Sequence, residues 1–325
     1  VTWLVTGGAG YIGAHVVREL IKADMRAVIV DNLSSGLLPF VPDGVPLIRA
    51  TILHTDTLTQ VMKDHHVTGV IHVAGFKYAG VSVRRPLHTY QQNVTGTISV
   101  LEAIVRYGID QVVFSSSAAV YGTPDVEQVT ENTPKDPQSP YGESKLIGEW
   151  LLHDQGIATG LRHTSLRYFN VVGSGDPAVY DTSPHNLFPL VFDALVSGRT
   201  PQINGDNYPT PDGTNVRDYV HVSDIAAAHV AAARRLEAAE PIESAYNLGS
   251  GDGLSVAEIM TAVATVTGIQ FTPTIGPRRP GDPPRIVASG KLAARDLDWR
   301  MRHSVEEMVR SAWEARLRAE KETPQ

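Results

Sequence analysis

The chain has 325 residues and a mass of 35.1 kDa, is 42% hydrophobic, and carries a net charge of -7 with a pI near 5.9 and no cysteine. That length suits about two domains, or one large α/β unit with an appendage. The acidic balance and the lack of any basic run argue against a nucleic-acid surface or a membrane patch, and no apolar run approaches the ~20 residues that span a bilayer.

Without cysteine there is no disulfide framework and no thiolate nucleophile. The 12 histidines, His65 and His66 included, lack ligand-type spacing with carboxylates, so no metal site is expected. No basic, apolar leader precedes the first strand, and a soluble cytoplasmic enzyme is the expectation.

Taken in order, residues 2–6 read as a buried strand, 12–23 as a helix and 26–30 as a second strand. Further β-rich runs fall at 45–52, 69–73, 111–115 and 164–168, with helical patterns at 56–63, 90–106 and 141–155. Such alternation implies a doubly wound parallel sheet covered on both faces. After about residue 170, Gly, Pro, Asn and Asp dominate and loops prevail, interrupted by helical stretches at 223–237 and 256–267, with a last helix at 305–319. The division expected is a dinucleotide-binding unit over 1–170, to which residues of about 215–240 return, and a smaller mixed α/β region over 171–325 that mainly binds substrate.

"LVTGGAGYIG" places Gly7, Gly10 and Gly13 between the first strand and the first helix, with Tyr11 and Ile12 opening that helix. The first Gly permits a tight turn, the second a close approach to pyrophosphate, and the third close helix–strand packing, with the helix N-terminus favouring the phosphates. This is the Rossmann-type arrangement. Asp31 ends the second strand, where a carboxylate accepts bonds from adenosine ribose hydroxyls and repels a 2'-phosphate. The following Asn32, Leu33, Ser34, Ser35 and Gly36 include no cation to welcome such a phosphate, which favours NAD over NADP. In "HVAGFK", after the fourth strand, Val73, Ala74 and Gly75 offer backbone to a flat ring, and Lys77 can reach ribose hydroxyls or phosphate. Asn93 is a further candidate.

"VVFSSSAAVYG" brings Ser115, Ser116 and Ser117 to the carboxyl end of a strand, which faces the ligand crevice of an open α/β sheet. "SPYGESK" then sets Tyr141 four residues before Lys145, on one helix face. The spacing alone is a weak signal. A tyrosine acting as base near pH 7 needs its pKa lowered by about 3 units, or about 4 kcal/mol. One cation at ~4 Å and an effective dielectric of 20 supplies about that much, so Lys145 and a nicotinamide cation together suffice.

These segments, "TGGAGYIG", "DNLSSG", "HVAGFK", "SSSAAVYG" and "SPYGESK", resemble the extended short-chain dehydrogenase/reductase superfamily. "LRYFNVVG", "GDNYPTPDGTNVRDYVHVSDIA", "YNLGSG" and "RRPGDPPR" narrow the resemblance to the UDP-glucose 4-epimerases, in order over nearly the whole chain. The resemblance implies C4 epimerisation of a UDP-hexose, UDP-galactose to UDP-glucose, through a 4-keto sugar and tightly held NAD. Tyr141 would deprotonate the C4 hydroxyl, Ser117 would bond the same oxygen, and Lys145 would hold the nicotinamide ribose and lower the tyrosine pKa. Thr51, Ile52, Ser115 and Phe169 would join the cofactor site. Lys77, Asn170, Asn186, Leu187, Arg217, Arg279 and Asp282 would join the nucleotide-sugar site, the two arginines facing the diphosphate. A homodimer is expected by the same resemblance.

The chain departs from the family pattern at three points. Where members carry an aspartate before the isoleucine of the adenine-contacting stretch, this chain reads Ala50-Thr51-Ile52, and Thr51 can still accept a hydrogen bond. Ala118 and Ala119 replace the Asp-Glu pair of related 4,6-dehydratases, which argues against elimination chemistry. The sugar-pocket gate corresponds to Ile286, which leaves room for N-acetylated sugars. Epimerisation of UDP-N-acetylhexosamines or UDP-glucuronate, dehydration or decarboxylation of a nucleotide sugar, and a non-catalytic NAD-binding regulator stay open as alternatives.

Overall fold

The strand–helix alternation builds a parallel sheet in the computed structural model, which describes residues 1–279 and 282–322. In chain order come β1 (Thr2–Thr6), α1 (Tyr11–Lys22), β2 (Arg26–Asp31), β3 (Leu47–Arg49), α2 (Thr55–Asp64), β4 (Gly69–His72), α3 (Ala79–Ser82) and α4 (Pro86–Tyr90). Next are α5 (Gly96–Tyr107), β5 (Gln111–Ser117), α6 (Pro140–Thr159), β6 (Arg162–Tyr168), β7 (Asn170–Val172), α7 (Leu187–Val196), β8 (Gln202–Asn204), β9 (Val216–Arg217) and β10 (Tyr219–His221). The chain closes with α8 (Val222–Glu237), β11 (Ala245–Leu248), β12 (Leu254–Ser255), α9 (Val256–Thr267), β13 (Thr274–Gly276), β14 (Arg285–Ile286), α10 (Lys291–Asp296) and α11 (Val305–Glu322).

Among the described residues, seven strands form one parallel sheet in the order β11-β6-β5-β4-β1-β2-β3. Alternate side chains of each strand serve opposite faces. Trp3, Val5, Ala27 and Ile29 join a core with Val16, Val17 and Leu20 of α1 and Ile225, Ala226 and Ala233 of α8. Leu4, Val28 and Val30 join the other core, with Leu58 and Met62 of α2, Ile104 of α5 and Leu152 of α6. Burial on both faces explains why the strands read as continuous apolar runs. A third cluster, with Phe188, Ile259 and Met308 from α7, α9 and α11, forms the core of the remaining layer.

The strand order reverses between β1 and β4, and ligands of open α/β sheets bind in the crevice beyond such a point. Both the glycine turn after β1 and the "HVAGFK" segment after β4 lie there.

Several boundaries differ from the sequence reading. The strand expected over 45–52 shrinks to Leu47–Arg49 at the sheet edge, while β5 runs on to Ser117. The helix expected over 90–106 is three pieces: α4, a π turn at Gln91–Thr95, and α5. The chain stays helical through the π turn, where the buried Asn93 amide is turned to the backbone of Phe76 and to Ser144. The short elements after residue 169 other than α8, α9 and α11 are not anticipated by the sequence patterns, nor is α3, and two of them matter most. Residues 187–196 form α7 despite loop signals before them, because Pro189 sits in the first turn, where its missing N–H costs nothing. Residues 245–248 form the edge strand β11, four residues long and too short to show a period.

Candidate active site

The glycine turn is shaped by contact rather than by flexibility alone. Gly7 has φ +73°, and a Cβ on Gly13 would stand 2.1 Å from the Gly7 carbonyl oxygen. Asp31 braces this turn: Oδ2 accepts from Ala9 N at 3.0 Å and Oδ1 from Leu33 N at 2.8 Å. That second bond holds Leu33 at φ +59°, a left-handed conformation rare for leucine. Burial pushes the Asp31 carboxyl up from its usual range, and the two backbone bonds oppose the rise. Each carboxylate oxygen keeps a lone pair for ribose hydroxyls.

A cavity of about 360 Å³ on this side is lined by Asn32, Ser34, Ser35, Ile52, Ala74, Gly75 and Lys77, with Ala50 beside them. Thr51 does not line it; its hydroxyl accepts from Leu53 N at 3.3 Å. Gly36 lies against Ala9, and Val73 packs on the core beneath the crevice. The glycine cradle, the carboxylate at the end of β2 and this recess of mixed polarity fit a dinucleotide.

The chemical end is assembled by β5 and α6. Ser139 caps α6, its Oγ accepting from Gly142 N at 3.2 Å, and Pro140 occupies the first turn. Tyr141 is thereby placed on the first turn, and Ser82 of α3 accepts from its backbone N at 3.1 Å. Ser117 ends β5 with its Oγ accepting from Ala119 N at 3.2 Å, and its side chain lines the same cavity as Tyr141. Burial raises the Tyr141 phenol above its usual pKa, and the neighbouring Ser117 hydroxyl is the opposing influence.

One turn on, Lys145 is buried, its Nζ donating to Ser115 O at 2.8 Å and standing 5.0 Å from the Phe114 ring centre. Burial lowers its pKa to about 8, with Glu149 resisting. The lowering of the Tyr141 pKa by Lys145, implied by the resemblance, is therefore not what the protein alone displays; Ser117 is the group that acts in that direction here.

Tyr141, Ser117, Lys77, Tyr11, Ile12 and Phe169 line a cavity of about 350 Å³ that continues to Asn170, Asn186, Leu187, Arg217, Arg279 and Asp282. Arg217 is buried and pairs with Asp282 through Nη2–Oδ1 at 2.5 Å, while Asn215 donates to the other carboxylate oxygen at 2.7 Å. Asn186 donates to Asp181 at 2.6 Å. The reacting groups and the two cations thus share one cavity.

Other predicted residues are engaged within the fold. Tyr11 is buried with its hydroxyl donating to Gly173 O at 2.6 Å, which ties the glycine turn to the substrate side. Asn93 has its amide engaged with Phe76 and Ser144, a bracing arrangement. The Ser115 hydroxyl meets His229 at 2.9 Å on the far side of the sheet. Ile286 does not line the cavity; it is buried in a cluster with Phe169, Ala118 and Leu146, one layer behind.

The lining also includes residues that the sequence analysis does not single out. Asn215 and Tyr219 flank Arg217 at alternate positions and line the same cavity, a period-2 signal that could have found them. Tyr168, beside Phe169, also faces it; burial and the neighbouring Tyr141 raise its pKa. Among the described residues no group of three or more His, Asp or Glu is placed to hold a metal ion, and no helix is long and apolar enough to cross a membrane.

The comparisons with known proteins agree with this geometry. Residues 3–249 match the NAD dependent epimerase/dehydratase family. The UDP-glucose 4-epimerase of Azospirillum brasilense is 44% identical over 322 residues, covering 97% of this chain and 92% of its own. The fold superposes on UDP-glucose 4-epimerase from Stenotrophomonas maltophila, solved with bound NAD and formylated UDP-arabinopyranose, with a TM-score of 0.93 at 37% identity over 98% of this chain and 99% of that one. It superposes likewise on the Brucella ovis UDP-glucose 4-epimerase in complex with NAD, with a TM-score of 0.92 at 37% identity over 96% and 97% of the two chains. With its glycine cradle, its Ser117–Tyr141–Lys145 group and these relatives along nearly its whole length, the chain belongs to the NAD dependent epimerase/dehydratase family.

Proposed function

We propose that this chain interconverts UDP-galactose and UDP-glucose by inverting C4 with a resident NAD. The observation that carries the reading is that Tyr141 and Ser117 open into the same cavity as Arg217, Arg279 and Asp282. A base for a sugar hydroxyl is thereby joined to a cation pair suited to a diphosphate.

When bound, NAD supplies a reversible hydride acceptor. Gly7, Gly10 and Gly13 would hold its pyrophosphate, and Asp31 its adenosine ribose. Lys145 has one ammonium proton committed to Ser115 O, which leaves two for the nicotinamide ribose. Tyr141 takes the proton of the C4 hydroxyl, and Ser117 donates to that oxygen as it becomes a carbonyl. Inversion requires the keto sugar to present its other face, after which Tyr141 returns the proton. Arg217 and Arg279 retain the nucleotide meanwhile.

The test is incubation of the purified protein, without added NAD, with UDP-galactose and UDP-glucose separately, followed by chromatography. Interconversion is expected, with NAD released on acid treatment; no conversion in either direction by NAD-loaded protein refutes the reading. The N-acetylated pair run alongside tests whether the cavity admits the larger sugar. Turnover of UDP-glucose with none of UDP-N-acetylglucosamine would remove that part alone.

The same reading includes a homodimer. It is supported by exposed apolar side chains on neighbouring helices: Leu87 on α4, Ile98 and Val105 on α5, and Trp150 and Ile157 on α6. Sedimentation at micromolar concentration checks it, and a monomer there would count against it. The cytoplasm is the location this reading carries, and cell fractionation tests it.

A further inference from the structure

Helix α6 presents a polar side chain toward β5 at each of three successive turns: Tyr141, Lys145 and Glu149. Four-residue spacing keeps them on one face. Each meets one of three consecutive serines. Tyr141 lines one cavity with Ser117, Lys145 donates to Ser115 O at 2.8 Å, and Glu149 Oε1 accepts from Ser116 Oγ at 2.5 Å. The helix lies close enough for this because Gly148 faces Phe114, where a Cβ would stand 2.6 Å from the ring.

The third member has been given no function so far. The Glu149 carboxylate is buried and forms a two-pronged pair with Arg167 of β6, Nε–Oε1 at 2.8 Å and Nη2–Oε2 at 2.5 Å. Arg167 Nη1 donates onward to the Tyr121 hydroxyl at 2.8 Å and to Glu131 O at 3.3 Å. Tyr121 in turn donates to Asn247 of β11 at 2.7 Å. Burial works against the Arg167 charge, yet Glu149 more than offsets this and its pKa is raised.

An ion pair taken wholly out of water is costly, and apolar residues of the same volume are often as stable. Cohesion alone therefore does not account for placing one a helical turn from Lys145. The surroundings of Lys145 supply a reason. His72 on β4 and His229 on α8 are buried and held neutral, their pKa values lowered to about 3 and about 4 by burial. The phenols of Tyr141 and Tyr168 are raised by burial. Lys77, on the loop after β4, is exposed, and Glu143 is turned to Tyr90. The charge that acts on Lys145 is then Glu149, which carries Arg167 as its partner, with Glu131 and Lys135 beyond them.

We propose that Glu149 is a positioning residue for the reaction: by cancelling Arg167 beneath the active site it keeps Lys145 charged while Ser116 fixes α6 against β5. The inference rests on the epimerase reading above. Arg167 is needed to tie β6, β11 and the 121–131 segment together, and its charge cannot be lost by deprotonation. Left uncompensated, it would drive the proton from Lys145.

The pH profile of kcat for UDP-galactose, measured on NAD-loaded protein, reads this directly, because loss of the Lys145 proton forms the alkaline limb. In E149Q that limb moves down by about one pH unit, the order expected for a bare charge about a turn away. The double variant E149Q/R167M removes both charges and returns the limb to its wild-type position. S116A keeps both charges and leaves it in place. A purely structural role predicts instead a lower kcat at every pH with the limb unmoved. That outcome overturns the inference, as does failure of the double variant to restore the limb, or a wild type with no alkaline limb below about pH 10. Should E149Q not fold, R167M decides, since an unpaired carboxylate raises the limb, or takes up a proton and leaves it unmoved. A downward shift there refutes the proposal. A wild type that converts no UDP-hexose removes the epimerase reading itself, and the two failures are thus distinct.

Discussion

Replacing Ser117 by alanine tests what prepares Tyr141 to act as a base. The Ser117 oxygen accepts from Ala119 N at 3.2 Å, which leaves its one proton for the tyrosine oxygen in the free enzyme and for the C4 oxygen once the sugar is bound. Burial raises the phenol pKa and the Ser117 hydroxyl lowers it. A hydrogen bond to an ionised group is worth about 1.5–3 kcal/mol, or about one to two pH units at 1.36 kcal/mol per unit. The sign follows from the role. The base must be deprotonated, so removing a donor to the phenolate moves the acid limb of kcat/KM to higher pH. Below the limb each unit costs about tenfold, and Ser117→Ala should therefore lose about 10–100-fold there. Raising the pH restores activity only until Lys145, with its pKa lowered to about 8, begins to lose its own proton. The expected profile is a narrow bell of reduced height. Initial rates of UDP-galactose conversion between about pH 5.5 and 9.5 give both limbs, and Ser117→Thr, which keeps the hydroxyl, should hold the acid limb in place. A uniform fall in Ser117→Ala with the acid limb unmoved would refute the reasoning and leave Ser117 a substrate contact only.

Gly13→Ala places a Cβ 2.1 Å from the Gly7 carbonyl oxygen, against backbone that cannot yield without opening the turn. The purified variant should carry little or no acid-releasable NAD, and a full complement would contradict the cradle. Arg217→Met removes a buried cation from the phosphate end and leaves Asp282 facing the ligand. UDP affinity by calorimetry should fall at least tenfold, with the pH limbs unchanged. Leu4→Ala opens a cavity in a strand that is fully buried, and the denaturant midpoint should fall by an amount equivalent to about 2–5 kcal/mol at unchanged m.

What could be read from the sequence, and what could not, follows from the range over which each signal acts. The β1–glycine–α1 turn, Asp31 and the Tyr141–Lys145 pair are local: a strand period, a helix period and a few residues of fixed spacing define them. Elements buried on both faces declared themselves by unbroken apolar runs, as β1 and β4 did. Short pieces did not. β11 has four residues and gains its place only by pairing with β6, whose residues lie about eighty positions earlier. At the π turn Asn93 meets Phe76 and Ser144, contacts that no periodicity announces. The same limit applies within α6. Tyr141 and Lys145 could be assigned because their partners are a cofactor and a sugar whose chemistry is general. Glu149 continues their spacing by one more turn, but its meaning lies in Arg167, which arrives from β6 and is buried with it. A carboxylate at that position reads in the sequence as one more helix-favouring residue. Only the burial of both charges, with Glu149 a helical turn from Lys145, makes the electrostatic question visible, and a measured alkaline limb answers it.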